Sequence, residues 1–502
     1  MWTSIPTALT AVLLLSSTAT ALVPRVAKTS QSASAATHVA GNGNGGLATE
    51  IASQAGSTVE STTDTPGGTV QQTSQSSSTN VTTTNGEPST NSLSTQGSFG
   101  GGSSSGGTKF LRGVNLGGWL VLEKWMTSEL FGGDFKDAKD QYEFDAIKGA
   151  EEALKKHWDS YFTEQDIQEL AKTGINALRI PIGYWAYDNS NTPYLKGADK
   201  YMEKAIGWAR KANMKVWVDC HGSPGSQNGF DNSGHAGKVA WQEGGNMAHS
   251  IGVLKTMAKK YGSKQYADVV VGLQLTNEPI SWGANDNTKT KTWAKDAYRA
   301  VKEVTENKDM VIVMHDAFLK GSAWIDTAKS VMTGGAKDFG IDTHLYQLFV
   351  EEDNKLTQKQ HIEKACGWSK ELKEANNVMP TFVGEWSAAT NICVKSDGST
   401  IGGTSCNDSG CQCQSAPMDK WNEKMVEQVR RFVEAQLDTF ESSSSGYFIW
   451  SAKGPGGWGF MNGIKNGAIP NPVTTRKYPG QCGGGGGSKP SKRRAREILI
   501  GS

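Results

Sequence analysis

The 502-residue chain is 37% hydrophobic, carries a formal net charge of +1 and holds 16 Trp and 59 Gly. A near-zero charge excludes a protein that grips nucleic acid or a strongly anionic surface through its overall field. No apolar run after the N-terminus approaches the roughly 20 residues needed to span a bilayer. Length alone suggests about three domains, but the composition changes sharply along the chain. The Trp surplus suits a ligand with extended flat surfaces.

Residues 1–21 read as a secretory signal, with a short apolar stretch at Ala8–Leu15 and a small-residue cleavage site at Ala19-Thr20-Ala21. The first residues lack Lys or Arg, and a signal anchor is the alternative, disfavoured by the shortness of the apolar run. Residues 22–108 form a Ser/Thr/Gly-rich segment. From Lys28 onward its only charges are Lys28, Glu50, Glu60, Asp64 and Glu87, and its only aromatic is Phe99. Such a tract cannot bury enough apolar surface to offset its ordering entropy, so it is expected to be a disordered, O-glycosylated stalk or linker. Asn80-Val81-Thr82 is an N-glycosylation sequon.

Residues 109–482 have a globular composition. Strands are expected at Leu111–Val114, Ala177–Ile182, Val216–Asp219, Val269–Leu275, Met310–Met314, Gly340–Leu345, Thr381–Glu385 and Gly446–Ser451. Helical patterns lie between them. One starts on the capping pair Thr163 and Asp166, carries Ile167, Leu170 and Ala171 on one face and stops at Gly174. Others cover Tyr201–Lys211 (ending near Asn213), Gly252–Tyr261, Trp293–Thr305 and Trp421–Phe440. Eight strands alternating with helices predict an α/β fold, a (β/α)8 TIM barrel with enlarged βα loops. A doubly wound open sheet is the runner-up, but no strand is followed by a Gly-rich phosphate fingerprint. Residues 483–502 are a Gly run and a basic tail, Lys492-Arg493-Arg494-Ala495-Arg496, expected to be a solvated end or a processing site.

Of seven cysteines, Cys393, Cys406, Cys411 and Cys413 cluster with no His among them. Behind a secretory signal this favours a disulfide-stapled loop over a zinc site, with the pairings left open. Cys220, within Val218-Asp219-Cys220-His221, is expected to be the unpaired thiol.

In such a barrel the functional groups sit at the C-terminal ends of the strands. Those ends carry the Asn115–Glu123 segment, Arg179, Asp219, His221, Asn277, Glu278, His315, Asp316, His344, Tyr346, Glu385 and Trp450. So many polar groups closing apolar strands would each cost several kcal/mol as core filling, so they are expected to converge in one site. Glu278 closes the fourth strand and Glu385 the seventh, facing one another across the mouth. A carboxyl pair across a site is what glycoside hydrolysis requires. The structural alternative is a salt-bridge network with Arg179.

The segments Arg112-Gly-Val-Asn-Leu-Gly-Gly-Trp-Leu-Val-Leu-Glu123, Arg179-Ile-Pro-Ile-Gly-Tyr-Trp185, the run from His221 to Gly234, Asn277-Glu278-Pro279, His344-Leu-Tyr346 and Gly384-Glu385-Trp386 resemble the fungal-type exo-β-1,3-glucanases of glycoside hydrolase family 5. The resemblance runs in order from about residue 110 to Cys482. It implies a retaining β-glucosidase acting from the non-reducing end of β-1,3-glucan. On the matching positions it implies that Glu278 is the acid/base, Glu385 the nucleophile, Asn277 the partner of the sugar 2-OH, and Tyr346 a hydrogen-bond partner of the nucleophile. Arg179 would keep Glu385 ionised, while burial and the charge of Glu385 would raise the pKa of Glu278. His221 and His344 would be further site histidines. Glu123 and Asn232 would hold the terminal glucose, Trp450 would lie under its ring, and Phe230 and Phe349 would flank the entrance. Cys366 and Cys482 match the family's long-range disulfide. Three places depart from the family pattern: Lys124-Trp125 replaces Pro-Tyr, Ala452 replaces the second Trp of Trp-Ser-Trp-Lys, and the cysteine cluster is not the usual loop.

These readings converge on a secreted or cell-wall enzyme, monomeric, acting on β-glucan polysaccharide or oligosaccharide without metal or organic cofactor. They exclude a nucleic-acid partner and a membrane span in the mature chain. A transglucosylase using a sugar acceptor keeps the same residues. A non-catalytic wall-binding or adhesive protein does not need both carboxylates.

Overall fold

The computed structural model describes residues 110–483. The expected signal, the stalk with its sequon and the basic tail lie outside the described residues. Eight parallel strands close a barrel: β1 (Leu111–Asn115), β2 (Ala177–Gly183), β3 (Lys215–Gly222), β4 (Val270–Gln274), β5 (Val311–His315), β6 (Phe339–Leu345), β7 (Thr381–Trp386) and, after an inserted sheet, β11 (Gly446–Ile449). Closure joins the first strand to the last, with Leu111 paired to Gly446 and Val114 to Ile449. A doubly wound open sheet is thereby excluded.

Strands covered by helices outside and plugged inside are buried on both faces, so they read as near-continuous apolar runs. Inside, Leu111, Ala177, Trp217, Val311, Val313, Phe382 and Phe448 pack as one apolar plug. The Trp217 ring meets Phe382 and Phe448 edge-on, with centroids 5.1 and 5.0 Å apart. Gly113 must lack a side chain, since a Cβ there would stand 2.0 Å from the Phe448 ring. Arg179 sits directly above this plug, its guanidinium 5.9 Å from the Trp217 ring. Apolar layers thus end and the polar mouth begins within one side-chain layer.

Helix Glu164–Lys172 starts where the capping box predicts: Thr163 accepts from Asp166 N and Asp166 Oδ2 accepts from Thr163 N at 2.9 Å. Its buried stripe is Ile167 and Leu170, and Gly174 beyond its end takes a φ of 86°. Helices Asn246–Tyr261 and Asn287–Val304 begin six residues earlier than expected, because their first turns are polar and show no apolar periodicity. The same polarity hid helices Ala150–Ser160, Gln358–Gly367 and Ser369–Val378 from the sequence. Among the described residues no helix is long and apolar enough to cross a membrane.

The cysteine cluster folds as a small antiparallel sheet, β8 (Ile392–Val394), β9 (Thr400–Gly402) and β10 (Gln412–Cys413), with β8 central. Cys393 and Cys413 are directly opposed on neighbouring strands and are bonded, and Cys406–Cys411 closes the connection between β9 and β10. These thiols are consumed as disulfides rather than offered to a metal. Cys220 is free and buried in β3. Cys366 and Cys482 are bonded across 116 positions of sequence. Cross-linking so long a loop restricts the unfolded chain, so Cys482→Ser is expected to cost about 2–5 kcal/mol. Thermal unfolding of the variant beside the oxidised parent checks this.

Candidate active site

Arg179, fully buried on β2, organises the mouth. Its Nη1 donates to Asn115 Oδ1 (2.8 Å) and Glu385 Oε1 (2.9 Å), its Nη2 to Asn277 Oδ1 (2.7 Å), and its Nε to Gln274 Oε1 (3.0 Å). Nη2 also lies 3.2 Å from Asp219 and 3.6 Å from Asp342. Burying a guanidinium is affordable only with such compensation. Burial opposes its charge, but Asp219, Glu385 and Asp342 raise its pKa further.

Glu385, near the end of β7, receives the Tyr346 hydroxyl on Oε2 at 2.9 Å. Both oxygens are therefore fixed and the carboxylate is aimed. Just before it, Gly384 is needed because a Cβ would stand 2.0 Å from Asp342 Oδ1, which instead accepts the Gly384 N–H at 2.7 Å. Glu278 follows β4 in a left-handed backbone conformation, φ 47°, rare for a residue with a Cβ and typical of over-determined functional positions. Its Oε2 accepts from Asn232 Nδ2 (2.8 Å) and its Oε1 faces His344 Nδ1 (2.7 Å).

His344 lies between the two glutamates. Nδ1 is also 3.4 Å from Glu385 Oε2, and Nε2 is 3.0 Å from Asp342 Oδ2. Carboxylate oxygens facing both nitrogens favour the imidazolium form, which donates from both. Burial would lower its pKa, but Glu385, Asp342 and the bonds to Asp342 and Glu278 hold it well above the usual histidine range. Its neighbour His315, at the end of β5 and 4.3 Å away edge to face, is kept neutral by burial and by the His344 charge. Asp316 beside it is pushed up to about 8 by burial.

This arrangement reverses the expected order of the two carboxyls in the free site. Burial alone would raise Glu278, but the bond and charge of His344, the Asn232 bond and the charge of His221 together hold it below the usual range. Burial raises Glu385, the charge of Glu278 adds to it, and His344 and Arg179 only partly offset them. The sequence showed the Glu–Glu–Arg group; it did not show that a cation would stand between the glutamates.

The remaining expected residues surround this pair. His221 Nδ1 bonds Asp219 at 2.6 Å, its Nε2 faces Asn277 Nδ2 at 3.4 Å, and its ring stacks on Trp450 with centroids 5.7 Å apart. Trp450 follows β11, and Gly117 is tied to it, since a Cβ at 117 would stand 2.6 Å from the indole. Glu123, buried in the loop after β1, accepts from Trp125 Nε1 at 2.9 Å. Asn232 sits in the short turn Asp231–Ser233 after β3, with half-buried Phe230 at its head. Phe349, after β6, is the one large hydrophobic left exposed among the described residues, at 48%. Its ring is 5.4 Å from Tyr346 and 6.1 Å from Trp458.

Sequence reasoning missed Asp342, Gln274, Asp231 and Trp458 as members of this site. Strand alternation would have found the first: Asp342 is two positions before His344 and so points to the same face. Asp231 lies within the His221–Gly234 run. Burial raises its pKa to about 6; at Glu123, burial first and then the charges of Asp231, Glu385 and Glu278 hold the carboxyl well above the usual range.

Paired carboxyls over a barrel mouth, with indoles beside them to carry a sugar ring, are the equipment of a glycoside hydrolase. The family model described as Cellulase (glycosyl hydrolase family 5) matches residues 139–453, and the chain belongs to that family. Among curated relatives it is 38% identical over 400 residues to a glucan 1,3-beta-glucosidase of Blumeria graminis, covering 74% of this chain and 89% of that protein. It is 37% identical over 396 residues to a glucan 1,3-beta-glucosidase of Candida oleophila, with 74% and 91% covered. The crystal structure of a rutinosidase from Aspergillus niger shares the fold at a TM-score of 0.57 and 23% identity, covering 72% of this chain and 98% of that one.

Proposed function

We propose that residues 110–482 form a retaining exo-glucosidase domain that releases terminal glucose from β-1,3-glucan, with Glu385 as nucleophile and Glu278 as acid/base. The observation that carries this reading is the single His344 nitrogen shared by both glutamates. Two oxygens at 2.7 and 3.4 Å from one nitrogen lie closer together than the roughly 6.5–9.5 Å that separates the carboxyl groups of inverting enzymes. The short spacing supports retention. The named relatives, both glucan 1,3-beta-glucosidases, support the linkage. The further carboxyls Glu123 and Asp231, close enough to the pair for their charges to act on one another, support binding of a terminal sugar's hydroxyls, and three disulfides support an oxidising, extracellular setting.

In the first step Glu385 Oε attacks the anomeric carbon while the bond to the leaving oxygen breaks and Glu278 gives that oxygen a proton. In the second, Glu278 takes a proton from water, whose oxygen displaces Glu385. Before substrate binds, that proton resides on His344 Nδ1. Entry of the sugar expels water and disfavours a buried ion pair, so the proton passes to Glu278 Oε1 and leaves a neutral pair. Asn277, with its oxygen held by Arg179, is left to direct its N–H2 at the 2-OH. Incubation with β-1,3-linked glucose oligosaccharides, followed by NMR from the first turnover, tests the reading. The β-anomer of glucose is expected first; the α-anomer would contradict retention, and internal cleavage would contradict the exo mode.

A further inference from the structure

We infer that Trp125 is a positioning residue for substrate binding: its indole N–H orients Glu123 and, through Trp458 and Tyr346, ties that carboxylate to the one on Glu385. The inference rests on the reading above, in which Glu123 holds the terminal sugar.

Glu123 is buried and electrostatically crowded. Asp231, Glu385 and Glu278 all bear on it with like charge. Among the described residues the one side chain that donates to its carboxylate is Trp125, to Oε2 at 2.9 Å. That bond engages Oε2 and leaves Oε1 for a hydroxyl. It also favours the ionised carboxylate, which is the form that accepts hydrogen bonds on both oxygens.

The geometry of the donor is fixed on every side. The turn behind it is closed by Met126 N and Thr127 N donating to Glu123 O at 2.9 and 3.1 Å. Lys124, between the two, is spent on Lys136 O and Ala138 O at 2.8 and 2.7 Å. The Trp125 ring meets Trp458 edge-on at 5.2 Å, Trp458 lies 5.3 Å from Tyr346, and Tyr346 donates to Glu385. An unbroken series of aromatic rings therefore runs from the group at the pocket end to the group at the anomeric carbon.

The test is a double-mutant cycle on the full chain, read as KM and kcat on a β-1,3-linked glucose disaccharide. Trp125→Phe keeps the ring and removes the donor. It is expected to raise KM about tenfold, the loss of a hydrogen bond to a charged group, with kcat within twofold. In a Glu123→Gln background, where no buried charge needs the donor, the same change is expected to leave KM within twofold. The pH at which KM is lowest is expected to rise in Trp125→Phe, because Glu123 ionises later without its donor. Trp125→His, which restores a ring N–H, is expected to recover most of the loss. An equal KM penalty in both backgrounds overturns the proposal, as does a fall in kcat with KM unchanged. If Trp125→Phe has no cooperative thermal transition, Trp125→Met, which also lacks the donor, takes its place in the cycle with Glu123→Gln. A parent chain that releases no glucose would sink the functional reading instead. The Trp125–Glu123 coupling is then read from calorimetric binding of glucose, where additivity overturns it.

Discussion

Glu385→Ala is expected to lower kcat for glucose release by about 10⁴-fold or more, as follows from the proposed role of Glu385 as covalent nucleophile. The side chain is held by Arg179 and Tyr346 at 2.9 Å each, so removing it leaves a small cavity and two donors that have lost this acceptor. A small anion fits both needs. Added azide is expected to restore turnover and to yield the α-glucosyl azide, since it enters from the face the carboxylate occupied. Glu278→Ala with azide is expected to give the β-product, because there the glycosyl-enzyme forms first and azide attacks it. Opposite anomers from the two variants would assign the roles independently of rate. The same anomer from both would overturn the assignment.

His344→Asn is expected to lower kcat by about 10²–10⁴-fold, comparable to the loss of a general acid, although His344 is not the group that meets the leaving oxygen. The reason is the location of the proton. In the free site the His344 pKa is raised by its carboxylate neighbours and that of Glu278 is lowered by His344, which favours the proton on the ring. The histidine pKa is raised, so the proton is present below it and lost as pH rises through it. The alkaline limb of the parent pH profile should therefore lie above the ordinary histidine range. Asparagine cannot hold the proton, and the limb should move to lower pH. Glu385 is raised by burial, so the acid limb should begin above the usual Glu value. A pH–kcat/KM profile of parent and variant measures both limbs. An unmoved alkaline limb in the variant would show that the proton is stored elsewhere.

The barrel was legible in the sequence because parallel strands buried on both faces leave uninterrupted apolar runs, and all eight expected runs fall on barrel strands. The convergence of strand ends was legible for the same reason. What sequence could not give was the partner of each polar group. Burial and opposite charge act on Glu278 with contrary signs, and the winner depends on a 2.7 Å contact with His344, 66 positions away. Likewise, the closed turn that places Trp125 under Glu123 reads from sequence only as a departure from a pattern. The small sheet around Cys393 and Cys413 escaped because its strands are two or three residues long, too short for alternation to show.

All three disulfides fall between Cys366 and Cys482, so every covalent tie lies in the last third of the described chain. Glu385 and Trp450 belong to that tethered portion; Glu123, Arg179 and Glu278 belong to the untethered one. The two halves of the chemistry therefore meet along two strand seams, β1 with β11 and β6 with β7, and through the bonds of Arg179 and Tyr346 to Glu385. Under heat or denaturant the tethered portion is constrained near its native contacts while the rest is free to part from it. Loss of activity should therefore precede loss of the tethered segment's amide protection, because opening those seams separates the carboxyl pair while the disulfides stay closed.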